Sequence, residues 1–251
     1  MRKGDDARRE LLTRAAELFD SRGYDAVSVK DITDSLGWPK SLFYYYCQSK
    51  EELVMMAANA RAESIIAAVS GHIAGGAGNC EKLSRALGAM AFWYSDDPKD
   101  AARLLKTLYQ IGSLPWRVYL RSAILPRICE ICNEIILDGV KAYEMYTPYT
   151  RAMSCAALEL AADLGEKLAS LMLSGEGDAF DRAEELLTGY RSAIEKLVEA
   201  PFGSIEITDT AFLRDTAREM GVDFGGGVEY EADTYDNGND MRDVHDDNGN
   251  G

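Results

Sequence analysis

Residues 37–53 read GWPKSLFYYYCQSKEEL: a tryptophan, a phenylalanine and three consecutive tyrosines between a glycine and a run of charged residues. Pro39 suits the first turn of a helix, where its missing N–H is no loss. On a helical wheel at about 100° per residue, Pro39, Phe43 and Tyr46 fall within about 60° of one another, with Leu42 on their flank. Lys40, Ser41, Tyr44 and Tyr45 take the opposite arc. The spacing therefore predicts that Phe43 and Tyr46 pack inward while Tyr44 and Tyr45 project outward beside Lys40 and Ser41.

Working outward, Leu11, Leu12, Ala15, Leu18 and Phe19 recur at helical spacing, and that helix should stop near Gly23. Ser28 stands where an N-cap belongs, with Asp31 three residues on, opening a short helix that Gly37 ends. Ser49-Lys50-Glu51-Glu52 reads as a capping box that starts a long fourth helix, running to about residue 72. Three short helices with a tight turn before the last make a helix-turn-helix candidate. An outward face of Lys, Ser and two Tyr suits phosphate and base-edge contacts, although surface aromatics also serve protein interfaces.

The bulk numbers frame this reading. The 251 residues suffice for one large or two smaller domains, and the 47% hydrophobic, 27% charged composition is that of a globular protein. No apolar run reaches the roughly 18 residues of a membrane span, and MRKGDDARRELL lacks the apolar core of a signal peptide. A cytoplasmic chain is expected. The net charge of −15 is unevenly spread: residues 1–60 hold 9 Lys and Arg against 10 Asp and Glu, residues 61–227 hold 17 against 24, and residues 228–251 hold 1 against 8. The N-terminal segment is nearly neutral, so its local basic residues decide whether it can meet phosphate. Five scattered cysteines fit reduced, buried thiols better than a disulfide framework.

Segment 8–53 resembles the DNA-binding domain of the TetR family of transcriptional regulators. The resemblance rests on the AAELFDSRGYDAVSVKDITDSLG lead-in, on a Gly-x-x-Lys-x-x-Leu-Tyr-x-Tyr-Phe-type recognition helix at 37–47, and on the following Ser-Lys-Glu-Glu-Leu. Phe43 stands at the Leu position and Cys47 at the Phe position; Trp38, Pro39, Ser41 and Leu42 also depart from the usual pattern. The resemblance implies phosphate contacts from Ser28, Tyr44, Tyr45 and Lys50, a phosphate or base contact from Lys30, and base reading by Lys40, Ser41 and Leu42. It implies an all-α fold: a helix-turn-helix domain at 1–48 and a helical effector-binding and dimerisation domain at 49–224, entered by the helix from residue 49. Residues 225–251, rich in Asp, Asn and Gly, read as an acidic disordered tail. The expected protein is a homodimer on palindromic double-stranded operator DNA, released by a small-molecule effector, most often a repressor. No enzyme activity, cofactor or metal is expected.

Past a flexible break at 75–79, helices are predicted over about 80–95, 98–112, 115–145 (kinked at Pro126), 149–174, 178–200 and 209–220. The small residues Ala152, Ala156, Ala157, Ala161, Ala162, Gly165 and Ala169 could form a close dimer face or ordinary internal packing. The aromatics Phe92, Trp93, Tyr94, Tyr109, Trp116 and Tyr119 fall on helices that line a pocket in relatives; Trp93, Tyr109, Trp116 and Tyr119 are the effector candidates, against plain core. Glu130 and Glu134 could pair with a cationic effector or form a solvated face. Cys129 and Cys132 share a helix face and could bind a metal, form a thiol sensor or form an oxidoreductase site, but only two histidines and no second cysteine pair are available, and buried structural thiols are the simpler reading. An effector-independent DNA-binding protein is the remaining alternative.

Overall fold

The computed structural model describes residues 2–74, 78–91, 95 and 97–222. Among them lie ten α-helices and no strand, the expected all-α class. They are α1 (Arg2–Arg22), α2 (Val29–Leu36), α3 (Lys40–Tyr46), α4 (Lys50–Ile73), α5 (Asn79–Ala91), α6 (Pro98–Leu108), α7 (Leu114–Lys141), α8 (Thr150–Ser174), α9 (Ala179–Val198) and α10 (Thr210–Met220), with a 3-10 turn at Ile111–Ser113 before α7. The predicted tail and the aromatics Phe92, Trp93 and Tyr94 lie outside the described residues.

Local chemistry sets the first four helices. Leu11, Ala15 and Phe19, four residues apart, are fully buried and give α1 its inner stripe. Ser28 caps α2 as read: its side chain accepts from Asp31 N, and the Asp31 carboxylate accepts from Ser28 N at 2.8 Å. The chain leaves α2 through Gly37 at φ 67°, where Gly37 N donates to the Asp34 carbonyl and Trp38 N to the Thr33 carbonyl at 2.9 Å. This closure needs a left-handed residue, which glycine supplies without strain. At α4, Ser49 accepts from Glu52 N, but the Glu52 carboxylate takes the Gln48 N–H rather than that of Ser49.

α4 is long and apolar enough to pass, by length and composition alone, as a membrane span. Its apolar side chains have another use: Leu53, Val54, Ala57, Ala58, Ala62, Ile65 and Val69 are buried, and α4 packs against α1, α5 and α7. It thus carries packing contacts from α1 to α5 and α7. Asp20 of α1 accepts from Arg61 Nε of α4 at 3.0 Å and from the Trp116 indole N–H of α7 at 2.8 Å, which ties three helices at one carboxylate.

In the larger part, α7 packs on α4, α5 and α8, while α8 packs on α5, α7 and α9. The small residues of α8 do not form a free face. Ala157, Ala161, Ala162, Gly165 and Ala169 are buried, and a Cβ on Gly165 would lie 2.3 Å from the Ala91 carbonyl oxygen of α5. Internal helix approach accounts for most of that stripe. The chain then returns beside α5: Ile205 N donates to the buried Glu195 carboxylate at 3.1 Å, Glu206 N donates to Ser84 Oγ at 2.9 Å, and α10 closes over α6.

The expectation of reduced thiols throughout is overturned. Cys129 of α7 is disulfide-bonded to Cys155 of α8, leaving Cys47, Cys80 and Cys132 free. Cys129 therefore does not pair with its neighbour Cys132. The reason is geometric: residues three apart on one helix share a face, but the facing helix offers the closer sulfur. Glu130, weighed above as a partner for a cationic effector or as part of a solvated face, is engaged within the chain, accepting from Arg151 of α8 at 2.8 Å.

Candidate nucleic-acid interface and effector cleft

The wheel reading of the tyrosines holds. Phe43 is fully buried and Tyr46 half-buried against Trp38, with ring centroids 5.9 Å apart. Tyr44 and Tyr45 are 55% and 78% exposed, so α3 presents Lys40, Ser41, Tyr44 and Tyr45 outward along one short face. Leu42 is half-buried at its edge. Trp38, just after the turn, packs on the inner side of α3 through Tyr46.

The three lysines differ in what they have left to offer. Lys40 is exposed and has no carboxylate partner among the described residues. Lys30 donates to Asp34 at 2.6 Å, and that hydrogen bond holds its pKa above the ordinary lysine value. Lys50 is half-buried, donates to the Tyr24 carbonyl at 2.6 Å and lies 3.8 Å from the centroid of the Tyr24 ring. Burial lowers its pKa, but its ammonium keeps further donors beyond the one spent on Tyr24. Ser28 is exposed with its hydroxyl turned to Asp31, whose acidity that contact increases.

Of the effector candidates, the described Tyr109, Trp116 and Tyr119 do not line one cavity. Trp116 is fully buried, packs on Phe19 at 5.3 Å between centroids and donates to Asp20. Tyr109 is half-buried under the Arg117 guanidinium at 4.4 Å, and the space beside it is only about 10 Å³. Tyr119 is 37% exposed, and Trp93 lies outside the described residues. Aromatic spacing could not distinguish a pocket wall from core.

A larger cleft of about 470 Å³ opens instead between α4, α5 and the segment leading into α10. Ala68, Val69, Gly88, Ala89, Ile207 and Phe212 supply its apolar lining, while His72, Arg85, Glu206 and Asp209 supply charge and polarity. Arg85 donates to the His72 carbonyl at 2.6 Å and pairs with Glu81, and Asp209 caps α10 by accepting from Phe212 N at 2.6 Å. Volume and lining fall in the range of small-molecule sites. No sequence signal pointed here, because residues 206–209 meet residues 85–89 only through the return of the chain.

Comparison with known proteins agrees with this geometry. Residues 11–55 match the family of bacterial regulatory proteins of the tetR type. No curated protein sequence matches the chain. Among solved structures, RolR in complex with resorcinol shares 18% identity over 86% of this chain and 95% of that one, with a TM-score of 0.55. A transcriptional regulator from Saccharomonospora viridis in complex with choline shares 19% identity over 78% and 96%, with a TM-score of 0.52. The regulator FadR from Bacillus subtilis in complex with stearoyl-CoA shares 18% over 75% and 96%, with a TM-score of 0.50. At these identities the likeness concerns the fold. Residues 11–55 are a TetR-family helix-turn-helix DNA-binding domain, and the chain as a whole carries the fold of TetR-family transcriptional regulators.

Proposed function

We infer that the chain is a homodimeric, effector-responsive repressor that binds a palindromic operator in the cytoplasm. The observation that carries this reading is the outward row Lys40, Ser41, Tyr44 and Tyr45 on α3, held by a buried Phe43 and a braced Tyr46. An unpaired ammonium and two exposed phenol hydroxyls on α3 are suited to backbone phosphates, while Ser41 offers a hydroxyl for a base edge and Leu42 an apolar edge for a thymine methyl. Ser28 and Lys50 flank the row, while Lys30 must release Asp34 to join it. Two copies are required because paired recognition helices reach successive major grooves about 34–36 Å apart. The outer faces of α8 and α9 support a two-fold contact, with Leu160, Leu171, Leu186 and Tyr190 lining an open groove there.

The cleft beside α4 is the candidate effector site. Ala68, Val69 and His72 stand at the far end of the helix that begins directly after the recognition helix, so a ligand filling the cleft pushes on the same rod that carries α3. The lining suits a ligand with an apolar body and charged or hydrogen-bonding ends. Release of DNA then requires only that the ligand bind the released state more tightly than the bound one.

The test begins with the full chain selecting duplexes from a random-sequence library. The Lys40→Ala/Tyr44→Ala variant should lose binding to the enriched duplex while keeping its helical circular dichroism. Unchanged binding refutes the DNA-binding reading. A monomer in sedimentation at micromolar concentration refutes the dimer.

A further inference from the structure

We propose that the Cys129–Cys155 disulfide is a reversible redox site whose opening by a dithiol, and closing by a peroxide, changes the affinity of the chain for DNA. The inference rests on the reading of the chain as a regulator that meets DNA inside the cell, where thiols are kept reduced and a disulfide is ordinarily transient. Three observations support it.

The first is access. Cys155 is an exposed residue of α8 although Cys129 is buried, so attack on the bond comes from the Cys155 side. The second is position. The bond joins α7, which packs along α4 and holds Asp20 of α1 through Trp116, to α8, which forms the outer helix pair with α9. Residue 129 lies about 20 Å along α7 from Trp116, at 1.5 Å per residue. The third is what remains without the bond. Near this end of α8, the polar ties from α7 are the exposed Glu130–Arg151 pair and the Thr150 hydroxyl donating to Asn133 Oδ1 at 3.0 Å. An exposed ion pair and one part-buried hydrogen bond hold weakly. Opening the bond frees the first turns of α8 to move relative to α7, and with them the frame that sets the spacing of two recognition helices.

The chemistry balances in both directions. A thiolate of the dithiol attacks Cys155 Sγ, the S–S bond breaks, and the Cys129 sulfur leaves and takes up a proton. The second thiol of the reductant then displaces Cys155, so the protein gains two electrons and two protons and the reductant becomes a disulfide. In reverse, the Cys155 thiolate attacks a peroxide oxygen and breaks the O–O bond to give a sulfenic acid. The Cys129 thiol displaces its oxygen as water; with hydrogen peroxide, two thiols yield one disulfide and two waters. Cys132 stays out of this exchange: it is fully buried, and burial pushes its thiol up to about 12.

The full chain, treated with hydrogen peroxide or with dithiothreitol, should show three thiols when denatured after the first treatment and all five after the second. The two forms should differ in affinity for the enriched duplex by about fivefold or more, the lower end of allosteric coupling. Cys155→Ser should match the reduced form and ignore peroxide, whereas Cys132→Ala should keep the response. Five thiols after peroxide overturns the site, a twofold or smaller change in affinity overturns the regulation, and loss of the response in Cys132→Ala overturns the pairing. If the thiol count moves but neither form binds any duplex, the DNA-binding reading has failed and the regulation falls with it.

Discussion

Replacing Asp20 by alanine tests whether one carboxylate fastens the DNA-binding helices to the rest of the molecule. Asp20 is buried on α1; one oxygen accepts from the fully buried Trp116 indole at 2.8 Å and the other from Arg61 Nε at 3.0 Å. Alanine strands the indole N–H without an acceptor, a cost of about 1–3 kcal/mol. It also leaves Arg61 unpaired. Because the Arg61 side chain is 33% exposed, water recovers much of that loss, and roughly 1 kcal/mol is the fair addition. The expected destabilisation is about 2–4 kcal/mol, which at this chain length lowers Tm by roughly 4–16 °C. Asp20→Asn keeps an oxygen for the indole and should lose less, about 1–2 kcal/mol. Trp116→Phe combined with Asp20→Asn should cost less than the two single changes added, since both remove the same hydrogen bond. Urea unfolding at fixed protein concentration measures all three, since the stability of the proposed dimer would depend on concentration. An Asp20→Ala change within about 0.5 kcal/mol of the parent, the scale of an ordinary surface substitution, refutes the fastening role.

Gly165→Ala should destabilise by about 1–3 kcal/mol through overpacking, since its Cβ would meet Ala91 backbone that cannot step aside. Gly71→Ala, on the same scale of change but with open space around it on α4, should stabilise by about 0.5–1 kcal/mol; thermal unfolding of the pair separates packing from helix propensity. Burial raises the Cys47 thiol to about 11 and the Cys132 thiol to about 12. The unfolded chain therefore gives up these protons first, and stability present below about pH 9 should fall as pH rises through 11 and 12. A Cys47→Ala/Cys132→Ala variant should show a flatter alkaline limb in urea unfolding from pH 8 to 11. Lys40→Ala should reduce the salt slope of duplex binding by about 1, whereas Lys30→Ala, whose ammonium is held by Asp34, should change it less in a titration of affinity against salt.

What could be read without coordinates was mostly what is local. The Ser28 cap, the Gly37 turn and the division of Phe43 and Tyr46 from Tyr44 and Tyr45 depend on residues within a few positions of one another, and periodicity alone orders them. Helix positions in the larger part were also legible: the ranges 98–112, 149–174 and 209–220 agree with Pro98–Leu108, Thr150–Ser174 and Thr210–Met220 within a few residues. The engagement of Lys50 by Tyr24 was not, since it links residues 26 apart through a carbonyl that carries no sequence signal.

The sequence by itself determined the helical class, the recognition helix and which of its side chains face outward, because a helix repeats its faces every few residues. Only the tertiary structure decided the uses of groups that meet across helices. It assigned Trp116 to Asp20 rather than to a pocket, set the small face of α8 against α5, and joined Cys129 to Cys155 instead of leaving it beside Cys132. It also built a cleft from residues more than a hundred positions apart. Those outcomes depend on which helix faces which, and that choice is made by the packing of the whole core.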